Sequence, residues 1–515
     1  MLFNSYFFLL VFLPISLLGF HLLARKHWSW AITWLIGVSL AFYAWWNPNP
    51  AQPWSPFYLT LIIASCTVNY WCGRTIHELR SMPVKRLLLT LSVSGNLLLL
   101  VYYKYTGLFA KWSQALTGSP AEIPHLVLPL AVSFFTFLQI TFLVDAYQGK
   151  VKDYRFGHYL LFVTFFPHLI AGPIVHHSEL MPQFRRTAAQ IGWRHILVGL
   201  TLLALGLFKK VVVADRLAAT ATPLFDLVAA GTRTLSFGEA WTAGLAYTFQ
   251  IYFDFSGYSD MAIGLAYLFG IRLPLNFNSP YKAGSVVEFW QRWHITLSRF
   301  LRDYLYIPLG GNRHGKMRRY LNLMVTMLLG GLWHGAGITY FLWGALHGTY
   351  LCINHGWVAL RERLGWRAMP KLPAIGLTFL VVMLAWIPFR AGAFEAARGG
   401  SASNAWAVTG SIYGSLFGAH GFEGWAAKGD QIMKGSRAWR PLILALVIAW
   451  ALPNTQQFLG RFSPHFPGRR EAATVTTLSW WRWRPTWYWT VLTVALCYWV
   501  GHEFDQVSEF IYFQF

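Results

Sequence analysis

Long apolar runs separated by short basic segments dominate this chain. Residues 2–24 and 28–46 are apolar and divided by Arg25-Lys26, whereas 47–54 carries no charge. Residues 56–73 lead to a segment bearing Arg74, Arg80, Lys85 and Arg86, and 87–103 is apolar again. Runs at 125–147, 196–213, 241–253, 261–269, 320–350, 374–387, 442–452 and 488–500 continue the pattern. About 17 to 25 apolar residues make a helix long enough to cross the hydrocarbon core, and a helix satisfies its own backbone there. The pattern predicts an all-α polytopic membrane protein with about eleven transmembrane helices plus re-entrant or partial ones.

The exceptions to the pattern are informative. Residues 159–174 are apolar but interrupted by Pro167, Gly172 and Pro173, which predicts a re-entrant segment covered by protein or lining a cavity. The polar stretch 254–260, Asp-Phe-Ser-Gly-Tyr-Ser-Asp, is expected to separate two helices. Residues 390–440, rich in Gly, Ala and Ser, and 462–485, with Pro and Arg469-Arg470, are expected to be extramembrane loops.

Composition agrees with the pattern. Of 515 residues, 55% are hydrophobic and only 12% charged, against roughly 25% charged in soluble domains. The net charge of +22 is explained by basic inner-facing loops rather than by nucleic acid, and the uncharged 47–54 segment places the amino terminus outside. Beyond residue 350 the orientation stays open, because Arg361, Arg363, Arg367 and Lys371 compete with the earlier basic cluster. The first apolar run has neither a basic start nor a cleavage site and is expected to remain as the first span. Cys66, Cys72, Cys352 and Cys497 match neither a disulfide framework nor a zinc site and read as packing residues.

Against this background one titratable group stands out. His334 lies in Leu-Leu-Gly-Gly-Leu-Trp-His-Gly-Ala, 328–336, and an ionisable side chain at membrane depth reads by default as functional. With a helix starting near Tyr320 it falls roughly 21 Å along the axis, past the middle of a core about 30 Å thick. Gly330, Gly331, Gly335 and Gly337 remove bulk around it, either for a thin substrate or for a neighbouring helix. A neutral imidazole suits proton transfer near neutral pH. His347, thirteen residues on, turns to another helix face and is the weaker candidate.

The densest polar stretch, 281–319, holds Lys282, Arg292, Arg299, Arg302, Arg313, Lys316, Arg318 and Arg319 besides His294 and His314. As one helix it pairs Glu288 with Arg292 and Arg299 with Asp303, and aligns Trp290, His294 and Leu297 on one stripe. That is either an interfacial amphipathic helix or a segment that carries His294 into the protein. Other chemistries lack their residues. Gly310 to Lys316 approaches a phosphate loop, but Met317 stands where Ser or Thr is required. There is no Gly-x-Ser-x-Gly elbow. No metal site is expected, since Pro167 and Pro173 break the helix that would bring His168, His176 and His177 together and no His-Glu-x-x-His occurs.

Five motifs carry a family resemblance: Asp-Phe-Ser-Gly-Tyr-Ser-Asp at 254–260, Asn-Phe-Asn-Ser-Pro-Tyr at 276–281, Glu-Phe-Trp-Gln-Arg-Trp-His at 288–294, Leu-Arg-Asp-Tyr-Leu-Tyr at 301–306, and Gly-Gly-Leu-Trp-His-Gly-Ala at 330–336. With them the chain resembles the membrane-bound O-acyltransferases, and within them the membrane subunits of bacterial alginate O-acetyltransferases. The likeness is dense over 166–347, weaker before, and slight afterwards apart from the closing Phe-Ile-Tyr-Phe-Gln-Phe of 510–515. The resemblance implies one acyltransferase domain over 1–515, with helices ringed around a central funnel or tunnel. It implies His334 as the active-site histidine and His294 as a second catalytic position. Asp254, Ser256, Tyr258, Asn276, Trp293, Trp333, Gly330 and Gly331 are then expected to line the tunnel or position substrate.

On this reading a multi-pass protein of the bacterial inner membrane takes an acetyl group from acetyl coenzyme A or another cytoplasmic thioester, with no permanently bound cofactor. Arg292, Arg299, Arg313 and Lys316 are expected at the donor phosphates. The acceptor is an exported polysaccharide such as alginate, reached directly or through a periplasmic acetyltransferase; peptidoglycan and cellulose are alternatives, and D-alanine transfer to teichoic acid a more distant one. A transporter or export channel, with the histidines relaying protons, is the rival from another class. A non-catalytic scaffold for a polysaccharide synthase is a third.

Overall fold

The computed structural model describes residues 2–46, 56–118, 126–185, 191–397, 402–422, 439–466, 482–504 and 510–511. Among them the chain is helical, and the one strand-like contact is a bridge between Pro274 and Phe466. Contacts divide it into two units, one of Met1–Leu203, Met261–Pro274 and Phe462–Arg469, the other of Ala204–Asp260, Leu275–Arg461 and Arg470–Phe515.

The first unit opens with α1 (Phe8–Lys26) and α2 (Trp28–Ala44). Arg25 and Lys26 occupy the last turn of α1, and an extended His27 turns the chain back. Trp34 lies over Gly19, where a Cβ would fall 2.4 Å from the indole, and its Nε1 donates to the Ser16 carbonyl at 3.0 Å. Then come α3 (Phe57–Glu78), α4 (Met82–Thr117) and α5 (Val132–Tyr147). Asn69 of α3 and Asn96 of α4 exchange side-chain hydrogen bonds at 2.6 and 3.3 Å, and Asn69 also donates to Gln139 of α5 at 3.0 Å. Such interhelical bonds hold helices where lipid offers polar groups no alternative.

After α6 (Phe156–Thr164) the chain breaks where the prolines predict. Pro167 starts a single turn, Phe166–Leu169, and the backbone then runs irregularly to His176 among buried side chains. Pro has no N–H to continue the α6 ladder but fits a first turn.

Two long helices follow, α7 (Trp193–Ala229) and α8 (Phe237–Leu268). Glycines set their approach: a Cβ on Gly264 would fall 2.7 Å from the Gly199 carbonyl, and one on Gly257 would fall 2.8 Å from the Gly206 carbonyl. The spacing is seven residues on each helix, so small residues let antiparallel backbones touch along one seam. The expected interruption at 254–260 does not occur. Those residues continue α8 without a break, because their charges are met in place. Lys210 Nζ lies 2.6 Å from Asp254 and 2.8 Å from Asp215, and Lys209 Nζ lies 2.6 Å from Asp260. A π-helical turn, Phe208–Ala214, carries both lysines.

The second unit continues through α9 (Val286–Arg292), α10 (Ile295–Leu301), α11 (Gly315–His334), α12 (Ile338–Leu364), α13 (Lys371–Ala397), α14 (Ala402–Leu416), α15 (Trp439–Ala451) and α16 (Trp487–His502). The loop expected over 390–440 is therefore helical to Ala397 and again over Ala402–Leu416. In α14 the small residues do not mark a linker. Ala405, Val408, Ile412 and Leu416 are spaced for one helix face and are buried. Residues 398–401 and 423–438 of that range, and 467–481 of 462–485, lie outside the described residues. Among the described residues four helical stretches are long and apolar enough to span a bilayer: α1, Met82–Gln114 of α4, α7, and Lys371–Phe394 of α13. Helices α8, α11 and α12 have the length as well, at 32, 20 and 27 residues, but bear polar side chains.

Candidate active site

His334 is the last residue of α11, 20 residues and roughly 30 Å from the helix start. The helix begins at Gly315 rather than near Tyr320, so the imidazole lies further along than the sequence predicts. Gly335 adopts a fully extended backbone (φ −172°, ψ 163°) and stops the helix, and α12 returns from Ile338. The glycines are occupied by α12 and α10. A Cβ on Gly331 would fall 2.3 Å from the Tyr340 carbonyl, one on Gly335 would fall 2.2 Å from the Tyr340 ring, and one on Gly344 would fall 2.4 Å from the Met327 carbonyl. Gly330 faces Leu301, at 3.3 Å. Close helix packing thus takes up the space that these positions leave.

The imidazole of His334 is 4% exposed. Trp333 (4.7 Å between ring centroids), Trp343 (5.1 Å) and Phe389 (5.0 Å) meet it edge to face. Trp343 comes from α12 and Phe389 from α13, where Pro388 precedes it. Aromatic side chains of three helices thus pack against the ring.

His294 is reached by a different device. The single helix expected from Glu288 to Tyr306 is broken at this residue: α9 ends at Arg292, Trp293 is extended, and His294 has a left-handed backbone (φ 41°, ψ 53°). Such a conformation costs a non-glycine residue on the order of 1–3 kcal/mol. Asn276 secures it. The Asn276 carbonyl accepts the Ile295 N–H at 2.9 Å, and its Oδ1 accepts from Thr296 Oγ1 at 2.9 Å and from the Thr296 N–H at 3.4 Å. That same Oδ1 stands 3.0 Å from His294 Nδ1, and Asn276 Nδ2 donates to Ser259 Oγ at 3.1 Å. Because Oδ1 can only accept, Nδ1 carries the proton and the neutral ring keeps its lone pair on Nε2. His294 is 1% exposed, with Phe255 edge-on at 4.7 Å and Trp333 at 6.5 Å. Trp333 therefore contacts both imidazoles.

The other expected site residues divide into groups. Trp293 is buried in an aromatic cluster with Phe277 (5.1 Å) and Trp386 (4.9 Å). Asp254 and Tyr258 gather on Lys210 and the C-terminal residues: the Ile511 N–H donates to Asp254 at 3.1 Å, and Phe510 packs on Tyr258 at 4.5 Å and on Lys210 at 4.8 Å. Ser256 is buried on α8. Among the basic residues, Arg292 is engaged by Glu288 at 2.7 Å, as the four-residue spacing predicts, and by the Asn278 carbonyl at 3.2 Å. Arg299 is half-buried, whereas Arg313 and Lys316 are exposed. Asp303 pairs with Arg302 at 2.7 Å rather than in the expected Arg299 pair.

Lys209 and Lys210 were missed by the sequence reading, although two adjacent lysines inside an apolar run are a visible signal. Trp343 and Phe389 carry no signal that separates them from ordinary core aromatics.

Comparison with known sequences covers the same region. The profile of a family described as MBOAT, membrane-bound O-acyltransferase family, matches residues 52–388. The peptidoglycan O-acetyltransferase of Helicobacter pylori is 44% identical over 425 residues, 77% of this chain and 78% of its own length. The probable alginate O-acetylase AlgI of Pseudomonas aeruginosa is 41% identical over 401 residues, 76% of this chain and 72% of its own. A teichoic acid D-alanyltransferase of Streptococcus thermophilus is 29% identical over 289 residues, 50% and 68% of the two lengths.

Proposed function

We propose a specific transfer for a chain that belongs to the membrane-bound O-acyltransferase family and is an acyltransferase: an acetyl group passes from a cytoplasmic thioester to a hydroxyl of an exported cell-envelope polysaccharide. The protein works in the bacterial inner membrane, directly or through a periplasmic partner enzyme. What carries the reading is the pair of buried imidazoles, His334 and His294, on either side of Trp333. Relatives named for acetylating alginate and peptidoglycan support a glycan acceptor.

In the transfer His334 takes the hydroxyl proton as the hydroxyl oxygen bonds to the acyl carbon and the carbonyl π pair moves onto its oxygen. When that pair returns, the carbon–sulfur bond breaks and the thiolate leaves, recovering the proton from the imidazolium. His294 keeps Nδ1 on Asn276 and offers Nε2 as an acceptor that orients the hydroxyl. The basic stretch ending at Lys316, Arg318 and Arg319 supplies cations for the phosphates of a coenzyme A donor.

The test is incubation of membranes with labelled acetyl coenzyme A, followed by mass analysis of glycan and protein fractions. Label is expected on an alginate-type or peptidoglycan glycan, or on a periplasmic partner, and is expected to vanish in His334→Ala at normal protein abundance. Undiminished labelling in that variant would end the proposed role of His334.

A further inference from the structure

His347 and Trp343 lie four residues apart on one face of α12, and both are buried, at 0% and 2% exposure. The Trp290 Nε1 stands 3.3 Å from His347 Nδ1. An indole nitrogen can only donate, so Nδ1 is the acceptor and the proton of the neutral imidazole is on Nε2, at the opposite edge of the ring. Neither His347 Nε2 nor Trp343 Nε1 has a hydrogen-bond partner among the described residues. Phe289 stacks on the imidazole at 6.0 Å, and Trp343 is edge-on to it at 4.9 Å. Trp343 also meets His334, at 5.1 Å.

Two buried N–H donors, one on the ring that packs against His334 and one on the ring behind it, need an explanation, because an unmet buried donor costs roughly 1–3 kcal/mol. Trp290 also contributes: by occupying Nδ1 it obliges His347 to present an N–H rather than a lone pair. The donors are neutral and set in an aromatic wall with Trp386 and Phe389, an environment that favours a neutral acceptor oxygen over a phosphate. Under the acyl-transfer reading, on which this inference rests, the group that brings such an oxygen to His334 is the acyl carbonyl.

We propose that Trp343 Nε1–H and His347 Nε2–H bind the carbonyl oxygen of the acyl group in transit. The oxygen gains the carbonyl π pair as the acceptor hydroxyl oxygen bonds to the carbon and passes its proton to His334. It returns that pair as the thiolate leaves. Both donors strengthen as charge grows on the oxygen, so they act on the chemical step more than on donor binding.

The test compares acetyl transfer from acetyl coenzyme A in membranes carrying wild type, Trp343→Phe, His347→Phe, His347→Gln and His334→Ala, at matched abundance of folded protein. Trp343→Phe and His347→Phe keep the ring stack and lose the donor. Each is expected to lower kcat by about 10- to 1000-fold with the KM for the thioester within about twofold. His347→Gln, which restores a side-chain N–H, is expected to recover at least about tenfold over His347→Phe. Wild-type turnover in Trp343→Phe, no recovery in His347→Gln, or losses that follow the amount of folded protein overturn the proposal. The His334→Ala arm separates the two readings. If that variant stays active, the acyl-transfer role of His334 fails first; if it is dead and Trp343→Phe is normal, only the carbonyl-binding role fails.

Discussion

Asn276 Oδ1 and His294 Nδ1 stand 3.0 Å apart, joining a left-handed histidine to the residue that makes that backbone affordable. Asn276→Ala should release the imidazole and lower acetyl transfer at least about tenfold, and the lost buried hydrogen bonds should destabilise the protein by about 1–3 kcal/mol. Asn276→Asp, which keeps an acceptor at Oδ1, should retain more activity than Asn276→Ala. Equal activity in the two variants would remove the orienting role.

The φ of +41° at His294 makes a second prediction that is independent of catalysis. Both His294→Ala and His294→Gly lose the ring, but only glycine adopts this backbone without strain. The glycine variant should be the more stable by about 1 kcal/mol in thermal unfolding of detergent-solubilised protein. A more stable alanine variant would mean that the backbone relaxes out of the left-handed region.

Lys210, 1% exposed, binds Asp254 and Asp215. Lys210→Met leaves the buried Asp254 and the partly buried Asp215 without this cation, a loss of about 3–5 kcal/mol. Little folded protein should reach the membrane, and Asp254→Asn added to Lys210→Met should restore part of it. Normal abundance of the single variant, judged by size-exclusion profile, would contradict a tight buried ion cluster.

Phe389 walls His334 at 5.0 Å, so the wall is expected to limit the acyl group. Phe389→Ala should raise the use of propionyl relative to acetyl thioester by about 10-fold or more, the order that one or two methylenes contribute in an apolar pocket. Competition between the two labelled donors gives the ratio directly; an unchanged ratio places the acyl chain elsewhere.

Asp153 offers a pH test outside the spans, between α5 and α6. Burial pushes its carboxyl up, but hydrogen bonds from Arg155 (3.1 and 3.2 Å), Arg185 (3.0 Å) and His158 (2.7 Å) outweigh that and hold it well below the usual carboxylate range. A carboxyl depressed in the folded state contributes its full stability above its ordinary value near 3.8 and loses it as pH falls further. Wild type should therefore lose thermal stability below about pH 4 more steeply than Asp153→Asn. Parallel curves would show that the cluster adds nothing.

Much of the architecture follows from the chain alone. Apolar runs of bilayer length leave helix as the only way to satisfy the backbone, the prolines at 167 and 173 locate the break after α6, and four-residue spacing joins Glu288 to Arg292. An ionisable His334 in a Gly-rich apolar run is conspicuous for the same reason: charge and lipid conflict, and the conflict is visible locally. Tertiary structure decided the rest. Whether 254–260 interrupts a helix depended on Lys209 and Lys210, about fifty residues away and brought near by glycine seams. The backbone of His294 depended on Asn276, and the space beside Gly331 on α12. Periodicity reports which residues prefer apolar surroundings; it does not report which distant partner will neutralise a charge or fill a gap, because that is settled only when the helices pack.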